Sequence, residues 1–376
     1  MRSILDVPPQ TAGRDALVAM LNAATRGACR ALEHAETLPP STYVSDEFFA
    51  LEVEKIFKPG WVCVGHVSQV PEAGDYFTLD LFDEMLVIVR GRDSVIRTLS
   101  GICTHHWAPL VEGKGNIKLF SCPFHKWGFD LTGKLLGAPL MDKVEFHQND
   151  CDLPGFSTEV VDGFIYANLS GDAPSLAPQL ADLSAQLAKF KLDELIVVGE
   201  YSYDCKSNWK IMVETFMECY HHIAAHPETF EASFPARLSY IEDGHPAWTY
   251  GVSPARETVR DEDILIGTPL LSDDLTTFDR RCFQLFLVYP FHMINIWPDR
   301  VYWFRSQPVA ANRTMVQTYV LARPKARDMP GYEAFMEKEM QFVDKVNLED
   351  FAVKKILPLM RCSNLEQKQV PPAPAA

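Results

Sequence analysis

Two groups of residues in this 376-residue chain have types and spacing suited to metal chemistry. Cys103-Thr104-His105 is followed, seventeen residues after His105, by Cys122-Pro123-Phe124-His125. Each half offers one thiolate and one imidazole on a tight turn, so two such loops can clamp a metal centre from opposite sides. A zinc site can also use two Cys and two His, but zinc fingers pair Cys with Cys and put the histidines on a helix. One of each per loop suits a 2Fe–2S cluster in which one iron takes two Cys and the other two His. Neutral imidazoles make such a cluster less negative and raise its potential. His106 has no spacing partner and reads as a surface or interface residue. Trp127 and Phe129 follow directly and are expected to shield the centre from water.

The second group begins on a predicted helix from Asn208. Glu214, Glu218 and His221 are spaced four and three apart and would share one face. His226 stands immediately before Pro227, which should end the helix. Two histidines converging at a helix end, with a carboxylate from elsewhere, would form the facial triad of a non-haem iron(II) oxygenase, with positions open for dioxygen. His221 alone could equally be a satisfied helix histidine. The upstream redox constellation favours the metal reading, because a one-electron carrier needs an acceptor. Asp350 is the candidate carboxylate: it lies four after Val346 and three before Val353 on an apolar helix face. A lone buried carboxylate is costly unless it is paired or binds a metal. Glu349 is expected to face solvent, and Asp344 is the weaker alternative ligand.

These residues need elements to hold them. The segment up to Pro40 reads as one amphipathic helix with Leu17, Met20, Leu21, Ala24, Ala28 and Leu32 on its apolar side, and a short helix should start at Ser45-Asp46. From Trp61 to Leu169 short apolar runs alternate with turns, which predicts a small antiparallel β domain. Strand-like runs return at 195–204, 282–289, 302–304 and 315–321, and a long helix fits 331–356. The fold class is therefore α+β, an all-β module followed by a second domain with its own sheet. The expected divisions are an N-terminal helical segment 1–42 packing on the second domain, the β domain 43–170, the catalytic domain 171–366 and a disordered tail 367–376.

Fifty acidic residues against 35 basic ones give a net charge of -15, which disfavours nucleic-acid binding. No stretch approaches the ~18 apolar residues of a membrane span, and the N-terminus lacks a signal-peptide core. Nine scattered cysteines are no disulfide framework, so a cytoplasmic location with reduced thiols is expected.

The two constellations, with Asn208-Trp209-Lys210, Glu218-Cys219-Tyr220-His221 and His226-Pro227, resemble those of the catalytic α subunits of Rieske non-haem iron ring-hydroxylating oxygenases. The resemblance spans about Tyr43 to Ile356. It implies a Rieske domain and a helix-grip (START-like) catalytic domain. Per subunit it implies one 2Fe–2S cluster on Cys103, His105, Cys122 and His125, and one mononuclear Fe(II) on His221, His226 and Asp350. Glu218 would occupy the position of the catalytic carboxylate that bridges one subunit's cluster to the next subunit's iron. Glu rather than Asp there is similar to the glycine betaine, carnitine and choline monooxygenase branch, which implies a homotrimer. Thr215, His222 and Trp107 depart from that branch, which usually has Asn, Cys and Gly respectively.

The expected function is that of a terminal oxygenase that uses O2 to hydroxylate, or oxidatively demethylate, a small aromatic compound or a quaternary or methylated amine. Electrons from NAD(P)H would come from a separate reductase, directly or through a ferredoxin, since this chain has no dinucleotide-binding Gly-x-Gly-x-x-Gly fingerprint. They would pass from the cluster through His125, Glu218 and His221. Expected substrate-pocket residues are Met212, Phe216, Phe286, Val288, Phe291, Met293 and Trp303. The alternatives are a Rieske electron-transfer protein without oxygenase activity and a binding protein whose second site has lost its metal. A Rieske ferredoxin needs only ~100 residues, and none of His221, His226 or Asp350 is missing.

Overall fold

The computed structural model describes residues 11–354 apart from 32–33, 144, 146 and 243. The expected tail 367–376, Leu32 and the expected helix end at Ile356 lie outside the described residues. The all-β part contains β1 (Val62–His66), β2 (Asp75–Leu81), β3 (Glu84–Arg90), β4 (Ile96–Ser100), β5 (Lys114–Asn116), β6 (Phe120–Ser121), β7 (Gly128–Phe129), β8 (Leu135–Gly137), β9 (Gly155–Val161) and β10 (Phe164–Asn168). One seven-stranded sheet has the order β1-β10-β9-β4-β3-β2-β5, and β6-β7-β8 form a smaller one. In β3 the residues Leu86 to Val89 are all buried, because both faces of the strand are covered. Leu86 and Ile88 join the core around Phe57 and Trp209, while Val87 and Val89 join the core that holds Cys103 and Cys122. The cysteine loops are therefore seated on one face of a strand whose other face faces the rest of the chain.

The second sheet contains β11 (Ile196–Cys205), β12 (Tyr240–Ile241), β13 (Trp248–Pro254), β14 (Cys282–Val288), β15 (His292–Ile296), β16 (Val301–Ala310) and β17 (Arg313–Ala322). Its order is β11-β17-β16-β15-β14-β13-β12, antiparallel throughout. Every residue of β14 and β15 is buried. One face packs on Phe164, Tyr166 and the 176–195 segment, and the other receives the long helix Tyr332–Lys354 through Met336 and Val343. Glu339 of that helix is buried and hydrogen-bonded by Tyr302 of β16, with Arg300 Nε at 3.2 Å and Asp299 in turn 2.7 Å from Arg300. This network ties the helix to the sheet three turns before Asp350.

The N-terminal helix is shorter than its pattern predicts, ending at Ala28 rather than near Pro40. The chain folds back there: Glu36 N–H donates to the Gly27 carbonyl at 3.3 Å, and its Cβ lies 3.2 Å from where a Gly27 side chain would begin. Pro39-Pro40 instead precede a one-turn helix, Ser41–Val44. The helix expected at Ser45-Asp46 is present, and the Ser45 hydroxyl caps it by accepting from Phe48 N–H at 3.1 Å.

Candidate metal centres and cavity

The two cysteine loops have the same backbone construction. Cys103 N–H donates to Ala108 and its carbonyl accepts from Trp107; Cys122 N–H donates to Trp127 and its carbonyl accepts from Lys126, with all four bonds between 2.8 and 3.0 Å. Trp107 and Lys126 occupy equivalent positions at φ 54° and 61°, the left-handed region that favours glycine. This explains why Trp107, in place of the family's usual Gly, is a strained choice. Both cysteines are buried and their thiols face each other. Burial pushes the Cys103 thiol up. In Cys122 the same burial is outweighed by the His125 and Phe124 N–H groups and the Cys103 thiol, and its pKa falls.

The His105 and His125 rings lie 4.8 Å apart, and His105 stacks on Trp127 at 4.5 Å and 2°. Burial, then His106 and His125, lower the His105 pKa, and its buried Nδ1 has no hydrogen-bond partner. An orphaned imidazole nitrogen beside two facing thiols is the donor set a 2Fe–2S cluster requires. The residues fit. Trp127 shields as expected, whereas His106, Trp107 and Phe124 are exposed around the loops.

The second constellation is built differently from its spacing. The helix capped by Asn208 runs only over Trp209–Phe216, and a second short helix covers His222–Ala225. Glu218 lies in the turn between them. Its carboxylate takes the His221 backbone N–H at 3.1 Å and faces His221 Nδ1 at 2.8 Å, which fixes the turn that separates the two helices. Glu214 does not share the site face: it accepts from the Tyr43 hydroxyl at 2.7 Å. Below it, Lys210 pairs with Glu52 at 2.6 Å and the Trp209 indole donates to the same carboxylate, which anchors this helix.

His221, His226 and Asp350 converge, with their ligand atoms all within 4.8 Å of one another. Asp350 Oδ1 is 3.2 Å from His226 Nε2 and 3.6 Å from His221 Nε2. The opposite nitrogen of His226 is held by Glu349 at 2.8 Å, and Glu349 also accepts from Thr229 at 2.8 Å. Glu349 is thus not the solvated residue expected, because His226 and Thr229 turn it inward. Val346 lines the same cavity as Asp350; the Val353 side chain lies outside the described residues. Asp344 is engaged elsewhere, by the Tyr203 hydroxyl at 3.1 Å. In the tautomer in which both Nδ1–H groups donate to Glu218 and Glu349, both Nε2 lone pairs would face Asp350, an arrangement that invites a cation. Asp350 and Glu349 raise the His226 pKa against burial, which alone would lower it. The donor set fits a divalent metal with open positions.

The triad opens onto a cavity with an empty volume of about 830 Å³, its mouth included. Met212, Phe216 and Met293 line it as expected. Phe286, Val288 and Trp303 do not. Strand alternation turns them to the opposite face, where they pack in the core with Phe164 and Tyr166. Phe291 also lies elsewhere, edge-on to Phe57 at 5.2 Å. The cavity floor is made by their neighbours Phe283, Leu285, Asn295, Tyr302 and Phe304. His222 is a third imidazole in the wall; its Nδ1 is 3.4 Å from the Phe234 carbonyl, and burial, then His221 and His226, push its pKa down to about 3. Period-2 reading finds such a floor once one residue of it is known, but not which of two buried faces it occupies.

A chain of two seven-stranded sheets and a smaller third, with two sulfur–imidazole loops and a 2-His-1-carboxylate cavity, defines a Rieske-type oxygenase. The chain matches the family "Rieske [2Fe-2S] domain" over residues 60–150 and the family "Ring hydroxylating alpha subunit (catalytic domain)" over residues 192–355. It is 30% identical over 275 residues to the carnitine monooxygenase oxygenase subunit of Escherichia coli (strain K12), which covers 72% of this chain and 70% of the relative. It is 34% identical over 191 residues to the putrescine 2-hydroxylase of Ralstonia nicotianae, half of this chain and 49% of that one. Among solved structures, the quaternary ammonium Rieske monooxygenase CntA with an inhibitor superposes with TM-score 0.77 at 25% identity, covering 89% of this chain and 88% of that one. The chain belongs to the Rieske ring-hydroxylating oxygenase α subunits. It is an oxygenase subunit of this family. Among the described residues no helix is long and apolar enough to cross a membrane.

Proposed function

We propose that this chain is the terminal oxygenase of a cytoplasmic, reductase-fed system that hydroxylates a small nitrogen-bearing substrate in the Phe283–Asp350 cavity. The observation that carries it is the convergence of His221, His226 and Asp350 at that cavity, in a chain that also sets Cys103 and Cys122 beside His105 and His125. Cys103, His105, Cys122 and His125 hold the cluster; His221, His226 and Asp350 hold one Fe(II). When bound, these groups supply electrons one at a time and activate dioxygen. The protein's own part is to keep the imidazoles in the ligating tautomer. Glu218 does so for His221 and Glu349 for His226. Apolar side chains over the triad exclude water, and Met212, Phe216 and Met293 contact the substrate.

None of the eight described cysteines forms a disulfide, in keeping with a reducing compartment. The named activities of the relatives on carnitine and putrescine support a nitrogenous substrate. Glu218 is the bridging residue to the next subunit in a homotrimer: its side chain is one-third exposed beside the exposed Tyr220 and Ile223. Substrate-dependent oxygen uptake with NAD(P)H, reductase and a panel of amines and aromatic acids tests the activity. No uptake with any class, from protein holding both iron centres, refutes it. In single-turnover kinetics Glu218→Gln should keep both centres yet oxidise the cluster much more slowly. Unchanged cluster oxidation sinks the bridging role.

A further inference from the structure

Asn295 is a polar group of the cavity that the metal chemistry does not use. Asn295 projects from β15 on the cavity face, paired across the sheet with Leu285 on one side and Tyr302 on the other, and all three line the cavity. Asn295 is 8% exposed, and its carbonyl Oδ1 is buried with no hydrogen-bond partner. The other polar residues around it are engaged. Tyr302 donates to Glu339, Thr215 donates to the Ile211 carbonyl at 2.7 Å, Asn347 is 3.5 Å from the Thr318 hydroxyl, and Glu218 holds His221. A buried amide oxygen left unsatisfied is costly, and a ligand donor relieves that cost.

The rest of the lining restricts what that donor can belong to. Among the described lining residues there is no Lys or Arg, so a substrate carboxylate would find no cationic side chain. The walls around Asn295 are aromatic, with Phe283, Tyr302 and Phe304 on the sheet and Phe230 above, and ring faces attract an ammonium cation. A carbonyl acceptor asks for N–H, which a fully substituted ammonium does not have.

We infer that Asn295 is a specificity-determining residue that accepts a hydrogen bond from the N–H of a primary or secondary amine substrate lacking a carboxylate. This rests on reading the cavity as the substrate site. It separates this chain from enzymes whose substrate is a quaternary ammonium carboxylate, despite their common fold.

Three probes of similar shape isolate the two demands. Phenethylamine carries both the ring and the N–H, its N,N,N-trimethyl analogue lacks the donor, and phenylalanine adds a carboxylate. Anaerobic titration calorimetry of the full chain with both iron centres should show phenethylamine binding at least tenfold tighter than either. Asn295→Leu should weaken phenethylamine about tenfold, leave the trimethyl analogue unchanged and so erase the difference. Asn295→Ser, which restores a small acceptor, should recover part of it. Equal or tighter binding of the trimethyl analogue or phenylalanine to the wild type overturns the inference, whether or not the variants fold. So does an unchanged ratio in Asn295→Leu. Oxygen uptake is read separately: selective, Asn295-dependent binding without any uptake counts against the oxygenase reading and leaves the recognition intact.

Discussion

Replacing Glu349 by Ala should release the mononuclear metal while leaving the cluster in place. The Glu349 carboxylate makes two hydrogen bonds at 2.8 Å, one with His226 Nδ1 and one from Thr229. His226 is 1% exposed, and Glu349 is the acceptor that faces its Nδ1. The Lys345 contact at 3.8 Å is at the surface and contributes little. Three losses then add up at one imidazole: an unsatisfied buried N–H, a freed ring orientation, and a less basic ligating nitrogen. Carboxylates in this position typically govern metal affinity by 10–100-fold, which is about 1.4–2.7 kcal/mol. Chelator-competition titration of iron under anaerobic conditions measures it directly, with the cluster's paramagnetic signal as the internal control. Glu349→Gln keeps a neutral acceptor for His226 and should fall between wild type and Ala. The reasoning fails if Glu349→Ala holds iron as wild type does, or if Gln is as damaging as Ala. Loss of the cluster signal together with iron would fail it too, since it would point to general unfolding.

Three further outcomes follow from the same geometry. Asp350→Ala should abolish oxygenation and mononuclear iron binding with the cluster signal intact, whereas Asp344→Ala, which loses only its Tyr203 contact, should not; the reverse result in metal analysis would move the ligand upstream. Glu339→Ala leaves the buried Arg300 paired with Asp299 alone and should cost about 3–5 kcal/mol in urea unfolding, and a loss below about 1 kcal/mol would show that the network does not hold the helix. Burial lowers the His66 pKa from 6.5 to about 4, with Nε2 facing the Leu192 carbonyl at 3.1 Å and Nδ1 taken up by Ser68. The unfolded chain takes that proton first, so this contribution is complete above pH 6.5 and is lost as the pH falls towards 4, about 3 kcal/mol in all. His66→Gln should flatten the slope of stability over that window, and an unchanged slope would rule His66 out as its source.

How far the sequence could be read depends on how local each determinant is. The cysteine loops were legible because their ligands are written in two short strings and each loop closes on itself through the bonds of Cys103 and Cys122. The helix starts at Ser45 and Asn208 were legible for the same reason, since the capping side chain bonds within three residues. Asp350 could be found because a carboxylate among apolar helix positions is conspicuous. Glu349 beside it could not, since its role depends on Thr229 and His226, 120 and 123 residues away. The continuous helix expected through Glu218 is interrupted because the first helix ends at Phe216 and the Glu218 carboxylate folds back on the His221 N–H and ring in the turn that follows. The pocket residues divided by sheet face. Strands buried on both sides carry no polar alternation to mark which apolar set lines a cavity, so Met293 lies on the cavity face and Trp303 on the opposite one.

The two imidazoles of the triad, alike in composition, are set in unlike surroundings. His226 is sealed, and its carboxylate comes from the distant helix Tyr332–Lys354. His221 is one-fifth exposed, and its carboxylate comes from its own turn, beside the outward-facing Tyr220 and Ile223. Glu218 spends one oxygen on the His221 ring and the other on its backbone N–H, yet each carboxylate oxygen has a further lone pair to offer. On the cluster side His125 is likewise exposed, with the Phe124 ring, itself 64% exposed, beside it. The face of each centre that meets solvent therefore ends in a group able to share one hydrogen bond, an N–H on His125 and a carboxylate on Glu218, within an apolar surround that a neighbouring subunit would bury. The longer Glu, where Asp is usual, can satisfy its own turn and still extend to that surface. On the proposed reading, that is why shortening it in Glu218→Asp is expected to slow electron transfer although the charge is kept.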